Sequence, residues 1–195
     1  HHPLLRRLSV ETPGTYQHSL VVAAISEEAA LSIGANSLFC RVATLYHDIG
    51  KLANPHYFTE NQFTGLNIHQ LLTPLESAQV IISHIPEGVV LAEKYGLPQS
   101  FIDIIYEHHG TTSVYCFYRA QLELMRGDRS RVDESKFRYR GPKPHSKESA
   151  IIMIGDTIEA AFRSLDEVNE KNVTELVDRL VAEKINDGQL DECLL

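Results

Sequence analysis

Leu38-Phe39-Cys40-Arg41-Val42-Ala43-Thr44-Leu45-Tyr46-His47-Asp48-Ile49-Gly50-Lys51-Leu52 puts an imidazole and a carboxylate side by side, with an ammonium just beyond them. The run from Leu38 to Leu45 reads as a helix, and Gly50 marks its end. His47 and Asp48 then fall in the last turns of that helix. Adjacent helical side chains point about 100° apart. The pair therefore grips a cation from two sides without forming a flat clamp, and the search turns to partners elsewhere in the chain.

The rest of the chain also reads as helical, so the expected fold class is all-α. A short helix is expected over Leu4–Glu11, ended by Pro13-Gly14. From Thr15 to Ile33, Leu20, Val21, Ala24, Ala29, Ala30 and Ile33 recur at helical spacing, and Gly34 closes the run. Asn36 is placed to cap the next helix. Asn54–Leu72 has weak periodicity and reads as a long loop. Thr73-Pro74-Leu75-Glu76 is a helix start with N-cap, proline and capping-box glutamate. That helix carries His84 and is limited by Pro86; another runs from Glu87 to Tyr95. Gln99–His109 is ended by Gly110, and Thr112–Met125 follows. A polar loop, Gly127–His145, leads to a helix capped by Ser146 and running to Leu165. Asn172-Val173-Thr174-Glu175 reads as a second capping box, opening a helix to about Asn186. No strand pair is expected.

The chain has 195 residues, 43% hydrophobic and 23% charged, enough apolar material for one domain over 1–195. A net charge of −8 is a poor match for a nucleic-acid polymer or an anionic membrane surface. It leaves room for a small anionic substrate where cations gather locally. Three cysteines, Cys40, Cys116 and Cys193, are an odd number with no CxxC, which favours a reducing compartment and speaks against a zinc–thiolate cluster. No apolar run reaches membrane-span length and no signal peptide is visible. The abrupt opening at His1-His2-Pro3 reads as a domain excised from a longer protein, with His1 readable as a tag remnant. Ten histidines are a high share and point to metal or proton chemistry.

Partners for His47 and Asp48 are found on other helices: His18, His84, His108, His109 and Asp156. Asp156 follows the apolar run Ile151-Ile152-Met153-Ile154, where an unpaired carboxylate is costly. Ligands on facing helices are how helical bundles build metal sites. Nitrogen and oxygen donors without sulfur suit manganese or iron(II), with zinc, nickel or magnesium as alternatives. Seven ligands exceed the needs of one cation, so two metals are expected. His109 has two readings, a direct ligand or a hydrogen-bond partner of one, because neighbouring helical residues diverge. Asp103 and Glu107 are candidates for orienting imidazoles. His1, His2, His56, His69 and His145 read as structural or exposed, and Glu28, Glu76 and Glu159 as capping or surface residues.

The ordered set His18, His47-Asp48, His84, His108-His109 and Asp156 resembles the pattern of HD-domain metal-dependent phosphohydrolases. Further stretches resemble the cytoplasmic domain of seven-transmembrane-receptor HD proteins, a group that includes cyclic di-AMP phosphodiesterases. They are His2-Pro3-Leu4-Leu5, Pro13-Gly14-Thr15-Tyr16-Gln17-His18-Ser19, Glu60-Asn61-Gln62, Glu107-His108-His109-Gly110-Thr111-Thr112, Gly141-Pro142-Lys143-Pro144 and Asp187-Gly188-Gln189-Leu190-Asp191-Glu192-Cys193. The resemblance implies an HD-type helical bundle with a dinuclear site at its centre. One metal would take His18, His47, Asp48 and Asp156; the other would take His84, His108 and His109, with Asp48 bridging. Gly110-Thr111-Thr112 stands where the related HD-GYP group carries Gly-Tyr-Pro, which speaks against a cyclic di-GMP specialist.

The implied activity is hydrolysis of a cyclic dinucleotide, cyclic di-AMP to pApA, by a hydroxide activated on two divalent cations. Asp48 and Lys51 are the expected catalytic residues, Lys51 as a phosphate contact. Tyr57 and Phe58, Tyr115 and Tyr118 are candidates for holding the adenines, and Arg138 or Lys143 for the second phosphate. The alternatives are another HD-type nucleotide phosphohydrolase, a di-iron oxygenase, or a nucleotide sensor without turnover. The resemblance further implies a cytoplasmic domain of a membrane-anchored bacterial protein. It leaves the oligomeric state open.

Overall fold

Helix starts follow the capping chemistry of the chain in this computed structural model, which describes residues 2–62, 65 and 67–193. His1 lies outside the described residues. Helix α1 (Pro3–Glu11) begins behind His2, whose ring accepts the Leu4 N–H, and α2 (Pro13–Ser32) opens on Pro13. Asn36 caps α3 (Ser37–Thr44) by accepting the Phe39 N–H. Both arms of the Thr73/Glu76 capping box form at α4 (Pro74–Ile82). Then come α5 (His84–Lys94), α6 (Gln99–Glu107), α7 (Tyr115–Leu124), α8 (Lys147–Phe162) and α9 (Glu170–Asn186). The all-α expectation holds: among the described residues the only extended pairing is an isolated bridge between Ser113 and Arg138.

Of the boundaries that differ from expectation, four have identifiable reasons. First, α3 stops at Thr44, so His47 and Asp48 sit in the turn beyond it, leading into a 3-10 helix at Ile49–Ala53. The Thr44 carbonyl, which a longer helix would bond to Asp48, instead receives the His47 ring N–H. Second, α4 stops at Ile82 because Pro86 has no N–H to give the Ile82 carbonyl; Pro86 is tolerated in the first turn of α5. Third, α7 starts at Tyr115, since Thr112–Val114 bond to Phe137–Tyr139 instead (Val114 N–H to Phe137 O, 2.7 Å; Tyr139 N–H to Thr112 O, 2.9 Å). Fourth, α9 is capped by Asn169, which accepts the Asn172 N–H, ahead of the expected box.

The core lies on two sides of the His47-Asp48 turn. On one side, Leu4, Leu8, Ile49, Val89 and Ile105 pack α1, the 3-10 helix, α5 and α6 together. On the other, Ala43, Ile104 and Ile152 join α3, α6 and α8. A satellite cluster of Ala78, Tyr118, Val132 and Phe137 fixes α7 and the polar loop to α4. Gly50 allows the closest approach: a Cβ there would overlap the His84 carbonyl and the Gly88 amide. The Asn54–Leu72 loop carries short 3-10 turns at Pro55–Tyr57, Thr59–Asn61 and Ile68–Leu71. Among the described residues no helix is long and apolar enough to cross a membrane.

Candidate metal centre

Three imidazoles are set by one local device. His47, His84 and His108 each follow a helix end and point Nδ1 at the carbonyl three residues back: Thr44 (2.6 Å), Ile81 (2.6 Å) and Ile105 (2.9 Å). A carbonyl only accepts, so each Nδ1 carries the hydrogen and each Nε2 presents a lone pair. All three rings are buried.

The lone pairs converge on Asp48. Its Oδ1 lies 3.3 Å from His84 Nε2 and 3.6 Å from His108 Nε2; its Oδ2 lies 3.4 Å from His47 Nε2 and 3.7 Å from His18 Nε2. Asp156 closes the ring, with Oδ1 2.8 Å from His18 and 3.6 Å from His47, and Oδ2 3.7 Å from His109 Nδ1. Two groups of donor atoms each gather within 4.8 Å: Asp48, His84, His108 and His109 in one, His18, His47 and Asp48 in the other. Asp48 belongs to both. His108 and His109 can both point inward because α6 ends at Glu107 and the pair occupies the turn beyond it, with ring centroids 4.2 Å apart.

The donor set fits divalent cations. His84 and His108 face each other Nε2 to Nε2 at 3.4 Å, two lone pairs with no hydrogen between them. His47 Nε2 and Asp48 Oδ1 are buried without a hydrogen-bond partner. Such atoms are costly unless a cation takes them.

Charge differs across the centre. Burial works against ionisation of Asp48, but Lys51 and His47 hold its carboxyl well below the usual range. Burial likewise opposes the charge on Asp156, and the hydrogen bond from His18 holds its carboxyl well below the usual range. Burial would lower the His18 pKa, yet Asp156 and Glu159 raise it to about 10. His108 and His109 are pushed down, first by burial and then, for His109, by His108. Lys51 donates to Asp48 Oδ2 and Glu60 Oε1, both at 2.7 Å, over the ring of Phe58. Burial opposes its charge, but these carboxylates raise its pKa.

Tyr139, Glu159 and Glu60 join the centre without having been singled out. Tyr139 stacks on His109 (4.3 Å, 17°). Glu159, expected as a surface residue, holds His18 Nδ1 at 2.5 Å; its spacing of three from Asp156 on α8 was the available signal. Glu60 pairs with Lys51 and accepts from the Thr15 hydroxyl (3.2 Å). The expected base contacts fare unevenly. Phe58 meets the centre, its ring edge-on to His84 at 5.8 Å. Tyr57 is half-buried beside His69, and Tyr115 is exposed at the start of α7. Tyr118 belongs to the satellite core, 7% exposed, so its ring is committed to packing. Arg138 is engaged by Asp187 and Glu134. Lys143 places its ammonium beside the Gly188 turn. Glu107 accepts the His145 backbone N–H (3.1 Å) and meets the His145 ring at Nδ1 (3.2 Å), an imidazole outside the candidate ligands, and exposed Asp103 accepts from Gln99.

Residues 15–161 match the family model of the HD domain. The chain belongs to the HD domain family. This HD domain is 45% identical over 192 residues to the cyclic-di-AMP phosphodiesterase PgpH of Bacillus subtilis (strain 168), covering 98% of the chain and 26% of that protein. It is equally 45% identical to the PgpH of Listeria monocytogenes, with the same coverage. The chain thus spans about a quarter of the length of these relatives (26%). Its fold superposes on the crystal structure of the L. monocytogenes PgpH HD domain in complex with cyclic-di-AMP with a TM-score of 0.94, covering 100% of this chain and 89% of that one.

Proposed function

We propose that this HD domain hydrolyses cyclic di-AMP to pApA with two divalent cations, manganese or iron(II), held around Asp48. The carrying observation is the pair of donor groups that share Asp48, in a chain 45% identical to the PgpH domain crystallised with cyclic-di-AMP. One cation would take His18, His47, Asp48 and Asp156. The other would take His84, His108, His109 and the second oxygen of Asp48. Imidazole and carboxylate donors without thiolate support the choice of manganese or iron.

When bound, such cations supply positive charge for the phosphate oxygens and make hydroxide available near neutral pH. The chain's own groups do the rest. The carbonyl-anchored rings hold their lone pairs fixed, so little reorganisation is needed as charge develops. Asp48 stays ionised. Lys51, permanently charged and clamped by Asp48 and Glu60, stands where a non-bridging phosphate oxygen gains negative charge. Water adds to phosphorus and the 3′ oxygen leaves, so the ring opens to a 5′ phosphate and a 3′ hydroxyl. Tyr57, Phe58 and Tyr115 are the accessible or site-facing candidates for stacking on adenine, and Lys143 for the second phosphate. The resemblance extends the proposal to a membrane-anchored parent protein with this domain in the cytoplasm, and the relatives' greater length supports the further segments.

Metal analysis and cyclic di-AMP turnover in manganese or iron(II), beside Asp48→Ala, test the reading. The variant is expected to lose both cations and to fall to the uncatalysed background. Full activity in Asp48→Ala sinks the mechanism. Tight binding of cyclic di-AMP by the metal-loaded wild type without pApA makes the domain a sensor instead.

A further inference from the structure

The turn carrying His108 and His109 is gripped from outside the region that matches the family model, which ends at residue 161. Gln189, beyond the end of α9, is fully buried. Its Oε1 accepts the Thr111 N–H (2.9 Å), and its Nε2 donates to Thr111 Oγ1 and to Asp187 Oδ2 (both 2.9 Å). From the other side, Arg138 donates to the Thr111 carbonyl (2.9 Å) and forms a two-pronged pair with Asp187 (3.1 Å to each oxygen). The Thr111 residue is therefore held at N–H, hydroxyl and carbonyl by chain that is distant in sequence.

A buried amide is costly unless its hydrogen bonds are made, and an apolar residue would serve packing alone. Here both ends of the amide are used. Gly110 makes the approach possible: its φ is +50°, and a Cβ there would overlap Gln189 Oε1. Tyr139, next to Arg138, stacks on His109, so the same clamp fixes one face of that ring.

We propose that Asp187 and Gln189, together with Arg138, position the paired histidines and so set the affinity of the cation held by His84, His108 and His109. This makes Arg138 a positioning residue rather than a phosphate contact. The inference rests on the two-cation reading, and the wild-type titration keeps the two apart.

The experiment titrates metal-free wild type, Gln189→Ala, Arg138→Ala, Asp187→Ala and the Arg138/Asp187 double variant with Mn2+, following stoichiometry by calorimetry and the Co2+-loaded absorption spectrum. Wild type is expected to take up two cations. Gln189→Ala is expected to keep one at wild-type affinity and bind the other roughly 10–100-fold more weakly, the range for loss of a ligand-orienting partner. Its spectrum should change, and pApA formation should recover at saturating metal. Arg138→Ala and Asp187→Ala should match each other, and the double variant should be no worse. Wild-type-like titration of Gln189→Ala overturns the proposal. So does equal weakening of both cations with a lower metal-free melting temperature, which is general destabilisation. If Gln189→Ala does not fold, the Arg138/Asp187 cycle decides: a raised KM in Arg138→Ala alone, with both cations bound normally, returns Arg138 to the substrate. Fewer than two cations in wild type overturns the two-cation reading itself, and this inference with it.

Discussion

The two halves of the centre hold donors of similar type in opposite electrostatic settings. On the Oδ2 side of Asp48, His18 and His47 meet Asp156, and Glu159 stands behind His18. On the Oδ1 side stand His84, His108 and His109, with aromatic rings around them: Phe58 against His84, Tyr139 against His109. The first half is rich in carboxylate and keeps a proton on His18, which stands in for positive charge. In the second half, burial works against a proton on His108 and His109. Their supports differ as well. The first rests on α2 and α8, long helices packed on each other, as well as on the turn after α3; the second rests on turns after α4 and α6 and is clamped by the C-terminal turn. A fold that draws one donor group partly from helix faces and the other from helix ends alone exposes the two to different kinds of damage.

The largest expected effect comes from removing one ligand on each side in turn. His47→Ala and His84→Ala should both bring cyclic di-AMP hydrolysis to background, since both cations are needed. Each should still retain close to one cation per chain, and the retained cation should be a different one. Co2+ spectra of the two variants should therefore differ. Identical spectra, or loss of all metal in both, would mean that the halves are not separable and that the comparison fails.

A smaller effect is expected behind His18. Glu159→Gln keeps size and removes the charge that anchors His18 Nδ1. It should weaken the cation on the Oδ2 side roughly 10–100-fold and leave the other unchanged. A calorimetric titration that shows both steps moving together would place Glu159 in the general stability of α8 instead.

How far these features could be read from sequence depends on how local they are. The donor groups that the structure brings together were legible because His47-Asp48 and His108-His109 stand at helix ends that glycine marks, and because a buried Asp156 demands a partner. The capping signals at Asn36, Thr73 and Ser146 placed helix starts correctly for the same reason: they act over three residues. Helix ends were less legible. Nothing local says that the His47 ring will take the Thr44 carbonyl and stop α3 there, or that Pro86, which ends α4, will itself fall inside the first turn of α5. The clamp at Thr111 was invisible, because Gln189 is 78 residues away and an amide near a chain end reads as exposed. The surroundings of Tyr118 and Arg138 were hidden for a related reason: aromatic and basic residues look alike in sequence whether or not a core or an acidic partner has claimed them.

The finest distinction between the halves is a proton. In the metal-free protein His18 has its pKa raised to about 10 against an ordinary 6.5, whereas those of His108 and His109 are lowered. Between pH 6.5 and 10 His18 thus holds a proton that His108 and His109 do not. A metal ligand must be deprotonated. Binding on the Oδ2 side at pH 8 should therefore release close to one proton, and binding on the Oδ1 side close to none. The same shift has a stability consequence. A folded-state pKa above the unfolded one stabilises fully below the unfolded value and is lost as pH rises through the folded one. The metal-free melting temperature should hold near pH 6 and decline from about pH 6.5 towards 10, and Glu159→Gln should flatten that decline. Titrations at pH 8 in buffers of different ionisation enthalpy count the protons directly. Equal proton release at both steps would mean that the charge of the two halves is shared, and that the carboxylates around His18 do not set its protonation.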